Sequence, residues 1–166
     1  MKLEDLPEGA NIFVDANILI YHFSRTSLEC QAFLQRCEAR QVAAFTGVHI
    51  VLEVIHRLMM LEALQKGLIT GRQPARKLKE QPEIVKVSQA YNQSVQQIPR
   101  LHIRVRAITS AVVRASEAIR VQEGLMTNDS VTVTLMRQLG LTAIATADAD
   151  CNNISVLQVY QPEDIP

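Results

Sequence analysis

The sequence predicts an α/β fold of three layers, in which helices cover both faces of a mostly parallel β-sheet. Short apolar runs alternate along the chain with longer stretches of helical periodicity. The 166 residues, of which 48% are hydrophobic and 20% charged, provide a core that needs neither a disulfide nor a structural metal. No repeat, low-complexity tract or linker divides the chain, so we expect residues 1–166 to form a single domain.

The first half of the chain predicts two passages from strand to helix. Residues 11–15 form a short apolar run that follows Pro7 and Gly9 and ends at Asp15, and Asn17 is expected to cap the next helix. The elements that follow are a helix over about 26–40, a strand over 42–45 and a helix over 48–66 that Gly67 ends.

The second half continues the alternation. Apolar residues recur at spacings of three and four between Pro82 and Pro99, which predicts one amphipathic helix there. The later elements are a strand over 101–105, a helix ended by Gly124, a helix over 127–140, a strand over 141–146 and a strand candidate over 154–160. In such a sheet, ligands bind beyond the carboxyl ends of the strands.

Composition also bears on location and on cysteine chemistry. Residues 1–15 lack the features of a signal peptide, and no apolar run approaches 18 residues, so we expect a soluble cytoplasmic protein without membrane association. Cys30, Cys37 and Cys151 form no Cys-x-x-Cys pair, which favours reduced thiols over disulfides or a cysteine-based zinc site.

The net charge of zero conceals a strong asymmetry. Residues 66–106 contain nine basic and two acidic residues, a local charge of +7, so the rest of the chain carries −7. We call residues 66–106 the basic excursion. Segregated charge of this kind is typical of a nucleic-acid footprint beside an acidic cation site, but a solvated helical segment would have the same composition.

Four acidic residues occupy positions where chemistry is expected. Asp15 and Asp148 follow apolar strands, so parallel strands would bring both to one edge of the sheet. Asp129 lies in the first turn of a helix, where a capping role is the simpler explanation. Glu53 lies one helical turn before Arg57, and an ion pair would account for it. Carboxylates gathered in one pocket instead call for a hard divalent cation such as Mg²⁺ or Mn²⁺.

These motifs, taken in order, resemble the PIN domain family over nearly the whole chain. The motifs are Val14-Asp15-Ala-Asn17, Glu53 on a long helix, Leu125-Met-Thr-Asn-Asp129-Ser130, and Ala145-Thr-Ala-Asp148-Ala-Asp150. The resemblance implies an α/β/α sandwich with a parallel sheet. It also implies a ribonuclease dependent on Mg²⁺ or Mn²⁺, as in the VapC-like toxins of toxin–antitoxin pairs.

The resemblance also implies a role for each matching residue. Asp15, Glu53, Asp129 and Asp148 match the catalytic acidic quartet, with Asp150 as an accessory acid and Asn17 and Thr127 as supporting residues. We hypothesise that Asp15, Asp129, Asp148 and Asp150 hold the metal. Glu53 would orient or deprotonate the attacking water.

The expected partners are RNA, a small antitoxin protein and a second copy of the chain. The antitoxin and the homodimer are implied by the resemblance alone. RNA backbone contacts are expected from basic residues in the excursion, namely Arg72, Arg76, Lys77, Lys79, Arg104 and Arg106.

A non-catalytic PIN-like module that binds RNA or protein is the alternative. The segment after Asp148 has neither the basic residue nor the aromatic residue that usually follows the last acids in this family.

Other classes of enzyme and metalloprotein have less support in the sequence. A second Glu-x-x-His motif, a phosphate-binding glycine-rich loop and a Gly-x-Ser-x-Gly elbow are all missing from the sequence.

Overall fold

The computed structural model describes residues 1–165 and confirms the predicted α/β fold. Five short strands form one sheet in which every neighbouring pair is parallel. The strands are β1 (Asn11–Val14), β2 (Ala43–Gly47), β3 (Arg104–Arg106), β4 (Ala143–Ala145) and β5 (Gln158–Tyr160). They stand in the order β3-β2-β1-β4-β5. The central strand β1 is therefore covered on both faces, and its Ile12, Phe13 and Val14 are fully buried.

The direction in which the chain adds strands reverses between β1 and β4. From β1 the connections run outwards through β2 to β3, and the chain then returns to β4 and β5 on the other side. Right-handed crossovers in opposite directions place their helices on opposite faces of the sheet. The carboxyl ends of β1 and β4 meet at this switch point, which is where open α/β sheets bind ligands.

Helices on the two faces complete the three layers. In residues 1–165 they are α1 (Ala16–Ser24), α2 (Leu28–Glu38), α3 (Val48–Gln65), α4 (Pro74–Glu80), α5 (Pro82–Val87), α6 (Ala90–Val95), α7 (Ser110–Glu123) and α8 (Thr127–Gln138). Helix α1 packs against α2 and α3, whereas α7 packs against α8. No helix in this range is long and apolar enough to cross a membrane. All three cysteines are free thiols.

The long helix α3 matches its prediction closely. Gly47 ends β2 and directly precedes the helix, and a Cβ atom at this position would clash with the His49 ring unless that ring moved. Gly67 follows the helix at a positive φ of 66° and ends it as expected. Ile50, Val54 and Leu58 face the core.

Two local predictions are wrong. Asn17 does not cap α1, because Asp15 is the N-cap residue and its carboxylate accepts the Ala16 N–H. The helix expected between Pro82 and Pro99 breaks into α5 and α6, with an extended Ser88 between them. Tertiary contacts outweigh the helical pattern there, because the backbone N–H groups of Gln89 and Tyr91 bond to Glu62 on α3 instead of continuing a helix.

The basic excursion folds around a small core of its own. Met60 and Ala63 of α3 pack with Ile69, Leu78 and Ile84 of the excursion, apart from the main core. The anchor is Glu62, which is only 6% exposed and accepts bonds from the Gln89 and Tyr91 N–H groups at 3.2 and 2.9 Å and from the Lys66 ammonium. One buried carboxylate therefore links α3 to the start of α6.

We expect Glu62→Gln to lower the free energy of unfolding by about 1–3 kcal/mol at pH 7, because the amide leaves buried N–H groups poorly paired. Burial raises the pKa of Glu62, but the bonds from Lys66, Tyr91 and Ala90 outweigh this effect and hold it below its usual value. The stabilisation is therefore present above pH 4 to 5 and is lost as the pH falls through the lowered pKa.

Urea denaturation of both proteins measures this difference. The control is Glu80→Gln, which breaks only the exposed pair with Arg76 and should cost less than about 1 kcal/mol. Equal effects of the two substitutions would contradict the anchoring role of Glu62.

Candidate metal centre

The four predicted catalytic acids line one cleft at the carboxyl edge of the sheet. Asp15 follows β1 directly, Asp148 lies three residues beyond β4, Glu53 is on the second turn of α3 and Asp129 is in the first turn of α8. The cleft has a volume of about 310 Å³, and we call it the acidic cleft. Its other lining residues are Ala16, Asn17, Ile20, Tyr21, Ile50, Arg57, Asn128 and Ala147. The structure thus brings together residues that are up to 133 positions apart in the sequence.

Asp15 is held in place by hydrogen bonds to both of its oxygens. Oδ1 accepts the Ala16 N–H at 2.7 Å, and Oδ2 accepts the Thr146 hydroxyl at 2.7 Å and the Asn17 amide at 2.8 Å. The carboxylate is therefore oriented by its own helix and by the end of β4.

Thr146 is a functional residue that the sequence analysis did not single out. Its side chain is fully buried, and besides donating to Asp15 it accepts the Asn17 amide at 3.1 Å and the Asp148 N–H at 3.0 Å. Asn17 in turn accepts the Ala147 N–H at 2.9 Å. This network joins the ends of β1 and β4. A hydroxyl at the end of an otherwise apolar run is the sequence signal that could have identified it.

Glu53 and Asp129 come from two helices that are tied together near the cleft. The His49 ring nitrogen Nε2 on α3 lies 2.8 Å from the Thr132 hydroxyl on α8. This contact gives His49 a packing role. The start of α8 has no side-chain cap, so Asp129 in its first turn faces free backbone N–H groups and a favourable helix dipole.

The outer residues of the predicted site lie at or beyond the rim of the cleft. Asp148 accepts the Asp150 N–H at 2.9 Å and so begins a short 3₁₀ turn. Asp150 is exposed and does not line the acidic cleft, and neither does Thr127. The structure therefore places the accessory acid beside the quartet but outside it.

Burial and neighbouring carboxylates both disfavour ionisation of the acids in the cleft, and burial is the larger of the two causes. Burial raises the pKa of Asp15, of Glu53 and of Asp129, and neighbouring carboxylates raise each one further. Arg57 opposes the shift at Glu53 without cancelling it. Within residues 1–165 none of the four acids takes part in a salt bridge, so the simple ion-pair explanation of Glu53 fails.

The donor chemistry of the cleft fits a hard divalent cation. Four carboxylates line it, and carboxylate oxygens are ligands that Mg²⁺ and Mn²⁺ prefer. Burial and the surrounding carboxylates raise the pKa of the nearby Cys151 thiol to about 12, which leaves it neutral. Among the described residues no three His, Cys, Asp or Glu side chains are arranged to hold one ion together. The carboxylates surround the cleft without converging on one point.

The six basic residues predicted to contact RNA do not line the acidic cleft. Arg76 pairs with Glu80 at 2.8 Å, and Lys77 donates to the Thr70 carbonyl. Arg104 stacks over the Phe45 ring at 5.2 Å. Arg106 aligns with Gly47 at the carboxyl end of the sheet, on the same edge as the acids. Arg72 and Lys79 are exposed in the excursion.

Comparison with known proteins decides the family. A sequence model of the PIN domain matches residues 12–157, a range that contains every acid of the cleft. The chain belongs to the PIN domain family. A search of curated protein sequences found no significant match.

Solved structures of toxin–antitoxin proteins are similar to this fold. A toxin–antitoxin complex from Klebsiella pneumoniae aligns over 89% of this chain and 95% of its own, with a TM-score of 0.56 and 16% identity. VapBC2 from Rickettsia felis, bound to a DNA fragment of its promoter, aligns over 92% and 99%, with a TM-score of 0.55 and 11% identity. Mycobacterium tuberculosis VapC20, a toxin that cleaves the sarcin–ricin loop, aligns over 85% and 92%, with a TM-score of 0.56 and 14% identity.

Repulsion in the acidic cleft predicts an unusual pH dependence of stability. Because the folded-state pKa values of Glu53 and Asp129 lie above their unfolded values of about 4, their contribution to stability is lost as the pH rises through the raised values. With EDTA present, Glu53→Gln and Asp129→Asn should be more stable than the wild type at pH 7, and the gain should vanish near pH 4.

Urea denaturation between pH 4 and pH 8 tests this expectation. Glu117→Gln on the exposed side of α7 is the matched control and should show no such trend. A loss of stability at pH 7 in both cleft variants would show that the carboxylates do not repel one another there.

Proposed function

We propose that this PIN protein is a divalent-metal-dependent ribonuclease that hydrolyses RNA phosphodiester bonds and acts as the toxin of a toxin–antitoxin pair. The observation that carries the proposal is that Asp15, Glu53, Asp129 and Asp148 all line one cleft at the switch point of the sheet. The similarity in fold to toxins such as the sarcin–ricin-loop-cleaving VapC20 supports the substrate class. A cytoplasmic location goes with this activity.

The residues of the acidic cleft divide the work of hydrolysis. Asp15, Asp129 and Asp148 would hold Mg²⁺ or Mn²⁺, with Asp150 assisting from the rim. When bound, such an ion supplies Lewis-acid stabilisation of the scissile phosphate and lowers the pKa of a water. Glu53, whose pKa is raised by burial and by its acidic neighbours, is suited to accept a proton from the attacking water and to orient it. Thr146 and Asn17 hold Asp15 in position throughout.

Partners follow from the same proposal. The toxin–antitoxin complex among the structural neighbours supports a small antitoxin protein as one partner. A homodimer is supported by exposed apolar side chains on one face of α3, where Val48 is 44% and Leu52 61% exposed.

A non-catalytic PIN-like module is the second candidate. It is favoured by the finding that no three His, Cys, Asp or Glu side chains within residues 1–165 are arranged to hold a metal. Metal binding distinguishes the two candidates, because only the enzyme requires Mn²⁺ to bind at the acidic quartet.

We expect Asp129→Asn to lower kcat/KM for RNA by about 100-fold or more, since stabilisation of the transition state by a metal is worth several kcal/mol. The assay incubates a pool of end-labelled RNAs with Mn²⁺, with Mg²⁺ or with EDTA, and calorimetry measures Mn²⁺ binding in parallel. Glu117→Gln should retain full activity. A folded wild type that binds RNA but neither cuts it nor binds Mn²⁺ would establish the non-catalytic module.

RNA backbone contacts are proposed for Arg72, Arg76, Lys77, Lys79, Arg104 and Arg106. Each lost phosphate contact on a single strand should lower the slope of log affinity against log salt by about 0.7. Arg104 and Arg106 lie on β3, and Arg106 aligns with Gly47 at the carboxyl edge of the sheet, so the double replacement of both by Gln should reduce the slope by about 1.4. Fluorescence anisotropy at rising KCl measures it, and an unchanged slope would exclude β3 from the RNA interface.

A further inference from the structure

A second cleft opens beside the acidic one. It has a volume of about 400 Å³ and runs between α1 and α3 to the start of α4 at Pro74. Asn17, Ile20, Tyr21 and Arg57 line both clefts, so the two are continuous. We call the second one the apolar groove.

The apolar groove differs in chemistry from the acidic cleft. Away from the junction, Met60, Leu61 and Leu64 form an apolar wall, the polar residues Ser24, Thr26 and Gln65 are uncharged, and no carboxylate takes part. Its volume lies within the range of small-molecule sites. A flat apolar group is therefore suited to the groove, whereas a phosphate belongs at the acidic end.

Arg57 stands at the junction of the two clefts. Its side chain is exposed, one helical turn beyond Glu53, and within residues 1–165 its guanidinium forms neither a salt bridge nor a hydrogen bond to a side chain. A guanidinium offers five donors in a planar fork that matches the oxygens of a phosphate. Arg57 is also the only cationic residue that lines either cleft within the described range.

Tyr21 is the matching aromatic residue. It is the one aromatic side chain that lines these clefts in the described part of the chain, and its half-buried ring packs against the main core. Nucleobases of any sequence stack on such a ring.

We propose that Arg57 and Tyr21 form a nucleotide subsite next to the scissile phosphate. Arg57 binds the adjacent phosphate of the RNA strand, and the base of that nucleotide stacks on Tyr21 and enters the apolar groove. The subsite rests on the ribonuclease function proposed above. The acids, the guanidinium and the apolar wall lie one after another along the two clefts. An RNA strand would place its scissile phosphate at the acids, its next phosphate at the guanidinium and the base of that nucleotide at the apolar wall. An uncharged peptide segment would match the groove but would leave the Arg57 guanidinium at the junction without an anionic partner.

Binding of an intact strand tests the subsite independently of turnover. The probe is a short fluorescent 2′-O-methyl RNA with phosphorothioate linkages, whose integrity is checked by gel electrophoresis, and anisotropy gives the affinity. Arg57→Gln should lower the affinity about 10-fold and reduce the salt slope by about 0.7, whereas Arg57→Lys should restore the slope. Tyr21→Leu should lower the affinity about 10-fold, and Tyr21→Phe should keep most of it.

Arg114→Gln, an exposed charge removal on α7, is the matched control and should change the affinity less than two-fold. Circular dichroism melting verifies that each variant is folded. If Arg57→Gln and Tyr21→Leu bind the probe as Arg114→Gln does, the nucleotide subsite is refuted and the groove is left to a protein segment. Failure of the wild type to cut any RNA with Mn²⁺ would instead refute the ribonuclease, while the anisotropy series would still decide the subsite.

Discussion

The structure depends on keeping four carboxylates close together in a partly desolvated cleft. Burial disfavours ionisation of these acids, and the neighbouring carboxylates add to the effect. The fold offsets this penalty locally. Asp15 receives three hydrogen bonds, and Asp129 occupies the first turn of a helix, where the dipole favours negative charge. What remains uncompensated is the net negative charge of the cleft, which is the property that attracts a divalent cation.

The parallel sheet is the reason why these carboxylates can meet at all. Acids at the ends of β1 and β4 share an edge only because the two strands are neighbours that point the same way. This part of the site was predictable, since an apolar run that ends in an acid is visible in the sequence and parallel strands have aligned carboxyl ends. Glu53 and Asp129 could be placed on helices by periodicity, but the His49–Thr132 contact that joins their helices could not.

Predictions were wrong where tertiary contacts compete with local pattern. The stretch between Pro82 and Pro99 has helical spacing, yet a carboxylate on α3 binds two of its N–H groups and divides it. Asparagine is a residue type that commonly caps helices, yet the Asn17 amide bridges the ends of β1 and β4, because Asp15 already caps the helix. Such outcomes depend on residues far away in the sequence. The single-domain organisation of residues 1–166 stays a prediction.

Charge segregation would resolve a conflict that the proposed ribonuclease function entails. A cleft negative enough to hold a cation would also repel an RNA substrate, which is a polyanion. Placing +7 in residues 66–106 and −7 in the rest of the chain separates the two requirements in space. None of the six basic residues proposed to contact RNA lines the acidic cleft, whereas Arg57 does. Arg57 lies on α3, the helix that also carries Glu53 and, through Glu62, anchors the basic excursion. Helix α3 is therefore the element that connects the acidic cleft, the Arg57 side chain at its edge and the basic excursion.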